Sequence, residues 1–194
     1  MTQVFDQEGK KIPVTLLVAG PCTVVQVKTK EKDGYSSVQV GFKSKKRVNK
    51  AMSGHLKKQG PFQYLREFSL IKEDVDSQLK VGDKITLDSF KLGEKIKIIA
   101  NSKGRGFAGV VKRHHFKGAD RTHGHKHDHR APGSIGGGFP EHVFKGLRMA
   151  GHMGDVRVTV KNSEVVCLEG DKNLIAVKGG VPGARKSLVE IIGE

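Results

Sequence analysis

The sequence predicts a mainly β protein: a small antiparallel barrel that carries a small helical insertion and a long irregular basic extension. Short segments rich in Val and Ile, separated by Gly, Pro and Asp, occupy the chain before Asn101 and again after Arg157, and this pattern is typical of short strands. A Gly-, His- and Lys/Arg-rich stretch separates the two groups. Because strands flank this stretch on both sides, we expect one sheet that the chain leaves and re-enters. Closure into a barrel would remove the exposed edges of that sheet.

The expected strands fall into a group before the interruption and a group after it. The first group covers 12–18, 22–28, 36–42, 84–88 and 95–100, and the second covers 158–160, 164–168, 173–177 and 188–192. Gly20-Pro21 and Asp33-Gly34 supply turn chemistry between the first three strands. We therefore expect a barrel domain formed by 1–100 and 158–194, with an insertion at about 43–82 and an extension at 101–157.

The insertion is strongly basic. From Gly34 to Arg66 the chain contains no acidic residue. Asn49 is placed to cap a short helix that runs through about Lys58, where Gly60-Pro61 would end it. A run of like charges repels itself, so a phosphate-bearing partner is the favoured explanation, and a solvated helix face is the plain alternative. The basic residues of interest are Lys43, Lys45, Lys46, Arg47, Lys50, Lys57 and Lys58.

The composition of the extension also points to a polyanion. Residues 101–157 hold eleven Lys or Arg against four acids, and aromatic residues are few, so this stretch cannot bury enough apolar surface to fold alone. A loop of this length is functional or is ordered by a partner. With a formal net charge of +15 and a pI near 9.9 for the whole chain, nucleic acid is the expected partner.

A membrane or secretory class is not indicated. No apolar run reaches the roughly 18 to 20 residues of a spanning helix, and the N-terminus lacks the order of a secretory signal, so we expect a cytoplasmic protein without a membrane partner. Cys22 and Cys167 lie among apolar neighbours. We expect them to be reduced thiols packed as small core residues rather than a disulfide.

Gly104, Gly106 and Gly109 form a GxGxxG pattern between a predicted strand and a predicted helix at 108–115. That context fits a dinucleotide site, but residues 116–155 contain no β-run to supply the next parallel strand. We favour glycines that let the backbone approach a phosphate, with Lys103 and Arg105 supplying charge. A flexible turn is the alternative.

The histidines at 123, 125, 127 and 129 invite a metal-site interpretation. Alternating residues on an extended chain point to opposite sides, so at most two could reach one ion, and no cysteine lies nearby. Histidine can instead hydrogen-bond phosphate and 2′-hydroxyl groups or stack on bases. We expect no metal, no cofactor and no small-molecule substrate. We also expect no catalytic residue, because no nucleophile and base can be paired. A metal-dependent hydrolase and a chromatin-like binder are the rival interpretations.

Several long segments resemble the family of bacterial large-subunit ribosomal protein three. The segments are MTQVF, PVTLLVAGPC, NKAMSGHLKK, SKGRGFAGVVKRHHFKG, THG followed by HRAPGSIG, and VFKGLRMAGHMGDVRVTVKN. This resemblance implies a six-stranded barrel of the translation-protein type and an extension that enters 23S rRNA toward the peptidyl transferase centre. It also implies an early assembly role in the 50S subunit, near the 3′ end of that RNA, beside ribosomal proteins thirteen, fourteen and nineteen.

With the resemblance, the residues expected to contact RNA can be named individually. Pro132 to Pro140 cannot form regular structure, so we expect this tip to present backbone and small side chains. The residues expected to contact RNA are the seven insertion residues above and, in the extension, Ser102, Lys103, Gly104, Arg105, Gly106, Lys112, Arg113, His114, His115, Lys117, Arg121, His123, His129, Arg130, Ser134, Gly136, Lys145, Arg148, His152 and Arg157.

The sequence departs from the family pattern at two places. Relatives carry several more residues ahead of the position of Met1, so we expect either a shortened first strand or a start further upstream. Some relatives have a methylated glutamine just after GSIG, whereas Gly137, Gly138 and Phe139 stand there in this chain. We therefore carry over no modification site from the family.

Overall fold

The computed structural model describes residues 1–6, 8–56, 59–70 and 79–193. Strands dominate these residues, so the prediction of a mainly β protein with little helix is confirmed. The strands are β1 Thr2–Phe5, β2 Lys11–Val18, β3 Cys22–Lys28, β4 Ser37–Ser44, β5 Phe62–Ser69, β6 Lys84–Ile85, β7 Lys95–Asn101, β8 Gly106–Ala108, β9 Gly151–Met153, β10 Arg157–Glu169, β11 Leu174–Lys178 and β12 Val189–Gly193. The helices are α1 Lys30–Asp33, α2 Lys50–Leu56 and α3 Val110–His114.

The strands form three sheets. One has six strands in the order β1-β2-β11-β10-β7-β12, a second has four in the order β5-β4-β3-β6, and β8 pairs with β9. The pairings β1–β2, β2–β11, β10–β11, β3–β4 and β4–β5 are all antiparallel. These pairings do not show closure into the expected six-stranded barrel.

The chain divides into two compact units. The first contains Met1–Lys97 and Lys161–Gly180 and takes up the chain again at Gly193, and the second contains Ile98–Val160 and Val181–Ile192. In the first unit, a buried cluster of Val24, Val38 and Val40 holds β3 and β4 together. Burial of these β-branched side chains is the main force that holds such a sheet together.

Most predicted strands are confirmed, and two differ in an instructive way. The stretches predicted at 158–160 and 164–168 are one strand, β10, because the polar residues at 161–163 interrupt the apolar pattern without ending the strand, although Asn162 adopts a left-handed φ of 56°. The strand predicted at 84–88 ends at Ile85. A 3₁₀ turn, Leu87–Ser89, follows it, and the Thr86 hydroxyl donates to the Asp88 carboxylate at 2.8 Å there.

Four strands were not predicted. β1, β8 and β9 are too short to show a period, and β5 was assigned to the helical insertion. β5 pairs with β4 over its whole length, from Ser69 opposite Ser37 to Phe62 opposite Ser44. Its aromatic residues are good strand formers. The predicted insertion is therefore partly sheet.

The predicted helices are shorter in the structure. α2 ends at Leu56, and the predicted continuation through Lys57 and Lys58 lies outside the described residues. The helix predicted at 108–115 is α3, Val110–His114. Its first predicted residue, Ala108, ends strand β8 instead, Gly109 is the N-cap, and His115 ends α3 in a left-handed conformation with φ 61°.

Both cysteines are free and half-buried. Burial raises the pKa of the Cys22 thiol above its ordinary value. Its Sγ donates to the Gly20 carbonyl at 3.7 Å. Within the described ranges, none of the helices has the length and apolar character that a membrane span requires.

Candidate nucleic-acid interface

The basic insertion is held by backbone bonds and one buried side chain. The Lys45 N–H donates to the Pro61 carbonyl at 2.8 Å, closing the loop between β4 and β5. Asn49 Oδ1 accepts the Met52 N–H at 2.8 Å, which is the predicted helix cap. Leu56 is 1% exposed and fixes the end of α2. Because the backbone is fixed in this way, the loop holds its basic side chains at defined positions.

The described basic residues of the insertion are exposed. Two of them, Lys46 and Arg47, line a cavity of about 450 Å³ together with Ser53. No acid in the described part of the chain pairs with them. The residues placed in this way are Lys43, Lys45, Lys46, Arg47 and Lys50, whereas Lys57 and Lys58 lie outside the described residues. This surface can bind an anion without first breaking an ion pair.

A polar network on the outer face of β3, β4 and β5 supports the insertion. His55 Nε2 of α2 lies 2.7 Å from Gln39 Oε1 of β4, and Gln39 Nε2 donates to Glu67 at 3.3 Å. Lys28 Nζ pairs with Glu67 at 2.8 Å and donates to the Tyr35 hydroxyl at 2.6 Å. The bond from Lys28 is the main cause that lowers the pKa of the Glu67 carboxyl, and the bond to Glu67 raises the pKa of Lys28.

The base of the extension is a hydrogen-bonded ribbon. The Ser102 N–H donates to the Val156 carbonyl at 2.9 Å, and Ser102 Oγ accepts the Val156 N–H at 3.3 Å. The Arg105 N–H donates to the Met153 carbonyl at 2.8 Å, and β8 then pairs with β9. The prediction that 116–155 contains no β-run is therefore wrong. β9 has the sequence GHM, and two of its three residues have low strand propensity, so the pairing depends on β8.

The glycines of the GxGxxG pattern lie at the start of this ribbon. Gly106 adopts φ 66°, a conformation open to glycine at little cost. Lys103 and Arg105 are exposed on either side of Gly104. Gly154, with φ 79°, lies so close to the Lys103 carbonyl that a Cβ would collide with it. The glycines thus bring two backbone segments together and leave both cationic side chains in solvent.

Two residues of α3 that were predicted to contact RNA instead bond to a backbone carbonyl of the extension itself. The Arg113 guanidinium donates to the Met149 carbonyl at 2.7 Å, and His114 Nε2 lies 3.2 Å from the same oxygen. Arg113 also lies over Gly151, where a Cβ would be 2.6 Å from its Nη1. Lys112, His115 and Lys117 are exposed instead. Sequence alone does not reveal this division, because Met149 is distant along the chain.

The histidine-rich loop is closed at its neck. His129 Nδ1 lies 2.9 Å from the Asp120 carbonyl, and the Ala119 N–H donates to the His129 carbonyl at 3.3 Å. Gly118, at φ 73°, leaves no room for a Cβ beside that carbonyl. Across the described ranges, no group of three or more His, Cys, Asp or Glu side chains is arranged to hold a metal ion. The exposed predicted contacts of this loop are Arg121, His123 and Arg130.

The tip of the extension lacks a core. Every residue from 132 to 150 is exposed, including Lys145 and Arg148. The Ser134 hydroxyl donates to the Gly136 carbonyl at 2.9 Å. Phe139 is 91% exposed and Phe144 is 60% exposed. This segment presents both charge and apolar surface to solvent.

The last two predicted contacts lie on the return path of the extension. His152 is exposed on β9. Arg157 begins β10, and its guanidinium pairs with Glu190 at 3.1 Å. Phe107 on β8 was not predicted as a contact, although it is 82% exposed. The lysines and arginines around it in the sequence were the only signal for this residue.

Comparisons with known proteins agree on one family. The profile of the family "Ribosomal protein L3" matches residues 22–172. The large ribosomal subunit protein uL3 of Petrotoga mobilis is 53% identical, and the alignment covers 98% of this chain and 90% of that protein. The protein of the same name from Herpetosiphon aurantiacus is 51% identical over 98% and 91% of the two chains. That of Dehalococcoides mccartyi is 48% identical over 98% and 92%.

Proposed function

Because this chain belongs to the Ribosomal protein L3 family, we propose that it binds 23S rRNA directly, nucleates early assembly of the large subunit and extends toward the peptidyl transferase centre. As a bacterial large-subunit protein it functions in the cytoplasm, in the 50S subunit, as a structural component and not as an enzyme. Its neighbours in this proposal are 23S rRNA and the ribosomal proteins thirteen, fourteen and nineteen.

One observation carries the proposal: on two separate segments, the insertion and the extension, exposed basic side chains other than Arg157 have no acidic partner among the described residues. A cation that pairs with a phosphate releases counterions, so a set of such side chains binds RNA strongly at low salt. These contacts position the protein without reading sequence. The folded shape of the RNA then supplies specificity.

The two segments have different roles in this proposal. The sheets built from 1–100 and 158–194 form the body, for which the family resemblance implies a translation-type barrel. The insertion places Lys46 and Arg47 against RNA on a surface fixed by Leu56. The extension, 101–157, lies among RNA segments that would otherwise repel each other, with Lys103, Arg105 and Lys112 at its base.

Co-sedimentation with large subunits tests the proposal. We expect the free chain to associate with RNA-containing particles that lack it at low salt, and its affinity for isolated 23S rRNA to fall as salt rises, with a slope of about −0.7 to −0.9 per phosphate contact. The variant in which Lys103, Arg105, Lys112 and Arg130 are changed to Gln should bind more weakly and show a smaller slope. Absence of binding by the wild-type chain at low salt would refute the proposal.

A matched variant controls for total charge. Lys10, Lys32, Lys84 and Lys91 are exposed on the first unit, outside both proposed surfaces. Their replacement by Gln removes the same charge. If this control loses as much affinity as the extension variant, the interaction depends on net charge and not on the proposed surface. Arg113 is kept in both variants because it bonds to the Met149 carbonyl.

A further inference from the structure

The ribbon β8–β9 presents two rings side by side on one face. Phe107 lies directly opposite His152 in its register. Residues directly opposite in an antiparallel pair project from the same face with Cβ atoms about 4.5 to 5.5 Å apart. Phe107 is 82% exposed, and His152 is also exposed. Both rings therefore face solvent on the same side of the ribbon.

The opposite face of the ribbon is occupied. Ala108 is 4% exposed there, and its partner Gly151 lies against the Arg113 guanidinium. That guanidinium is fixed in turn by its bond to the Met149 carbonyl. Because the Arg113 guanidinium fills this face at the Ala108–Gly151 pair, a slip by one residue that would turn Phe107 to this face is disfavoured. The register of the ribbon therefore keeps Phe107 exposed.

The surroundings of the two rings indicate what covers them. Lys103, Arg105 and Lys112 are exposed close by in the chain, and no acid among the described residues pairs with these three. A partner must then combine dense negative charge with flat apolar surfaces. Unpaired nucleobases of RNA offer both, because each base has a π-face beside its phosphate. A protein partner would instead need acidic side chains around an apolar patch.

We propose that Phe107 and His152 form a stacking platform for an unpaired base of the RNA. This inference rests on the proposed function and adds to it a contact that does not depend on charge. Phosphate pairing by the nearby cations places the strand, and stacking then favours segments whose bases are not already paired. The platform therefore selects unpaired over fully paired RNA.

Substitution of Phe107 separates stacking from apolar burial. We expect Phe107→Leu, which keeps apolar area but removes the flat ring, to weaken binding of 23S rRNA by about 5- to 150-fold, the range that corresponds to the loss of one stacked base. The salt slope should be unchanged, because no phosphate contact is lost. The matched control is Phe5→Leu, at an exposed phenylalanine of the first unit, and should bind as the wild type does.

A tryptophan at this position reports stacking directly. The chain contains no Trp, so Phe107→Trp introduces a single indole. Its fluorescence should be quenched on binding 23S rRNA, with wild-type affinity, and should not be quenched by a fully paired duplex RNA that binds at low salt. Circular dichroism checks that each variant folds.

Two results would overturn the platform. One is wild-type affinity for Phe107→Leu, and the other is indole emission that does not respond to unpaired RNA although the chain is bound. In either case the charged residues alone hold the RNA at this ribbon, or the ring faces a protein. Because both results require binding by the wild-type chain, they are distinct from failure of the proposed function, in which no binding occurs at low salt.

Discussion

At the scale of single residues, Ser37 in β4 is a buried hydroxyl without a partner. Its side chain is 2% exposed, and its Oγ has no hydrogen bond within the described residues. A buried polar group left unpaired costs about 1 to 3 kcal/mol. We predict that Ser37→Ala raises the free energy of unfolding by about 1 kcal/mol, measured by chemical denaturation. Ser36→Ala, one residue earlier, is the control, and a destabilised Ser37→Ala variant would show that the hydroxyl is paired.

Glu67 makes stability depend on pH. The bond from Lys28 lowers the pKa of its carboxyl in the folded state, so its stabilising contribution is present above the unfolded pKa of about 4.3. The contribution is lost as pH falls through the lower folded pKa. We predict that the difference in unfolding free energy between wild type and Glu67→Gln is larger at neutral pH than in acid. A difference independent of pH would contradict the ion pair, and Glu8→Gln in an exposed turn is the control.

Residue roles were predictable where they depend on local sequence. The exposure of Lys103 and Arg105 follows from charge among glycines, whereas the engagement of Arg113 and His129 depends on carbonyls that sequence distance conceals. The partner of Arg157 is likewise Glu190, far along the chain. Long-range contacts of this kind decide which cations remain available for RNA.

At the scale of elements, the cap of α2 gives a direct test of the insertion. Asn49 Oδ1 satisfies the Met52 N–H, and loss of such a cap costs about 0.5 to 2 kcal/mol. We predict that Asn49→Ala speeds amide exchange in Lys50–Leu56 by the factor that corresponds to this loss of free energy. Asn49→Ser can still cap the helix, so its exchange rates should stay near those of the wild type. Equal exchange in both variants would mean that Leu56 alone holds the helix.

Elements were predictable to the extent that their own residues determine them. β3 was predicted with its observed bounds because a Val-rich run lies between Gly20-Pro21 and the turn at Gly34. β9 was not predicted, since GHM has no pattern and exists as a strand only through its pairing with β8. β5 was missed because the basic run that defines the predicted insertion extends into it. The expected closure into a barrel is not shown by the pairings, because closure depends on pairing between the edge strands of the sheet, which the sequence pattern does not encode.

At the scale of the whole molecule, the two units should differ in protection before RNA binds. The second unit has a hydrogen-bonded base, at β8, β9 and α3, and a tip in which every residue from 132 to 150 is exposed. Local opening is easiest where few apolar contacts are buried. We predict fast amide exchange across the tip of the free chain, intermediate exchange at β8–β9 and strong protection in β3, β4 and β11. Binding of 23S rRNA should slow exchange at the tip.

Uniform protection of the free chain would contradict this prediction. It would show that the extension is a packed module that needs no RNA, against the expectation from its composition. The variant with four Lys-to-Gln changes on the first unit serves as the control, because RNA should still protect its tip. Protection that is lost only in the extension variant ties the order of the tip to its own cations.

The uncovered tip also has a consequence for the lifetime of newly made chains. A segment without buried contacts is an easy substrate for proteases, because cleavage there requires no prior unfolding of the sheets. If the chain binds rRNA as proposed, we expect copies that are synthesised in excess of their RNA to be clipped first in this segment and assembled copies to be shielded. Proteolysis at these exposed residues would thereby match the amount of protein to the amount of rRNA without a dedicated regulator.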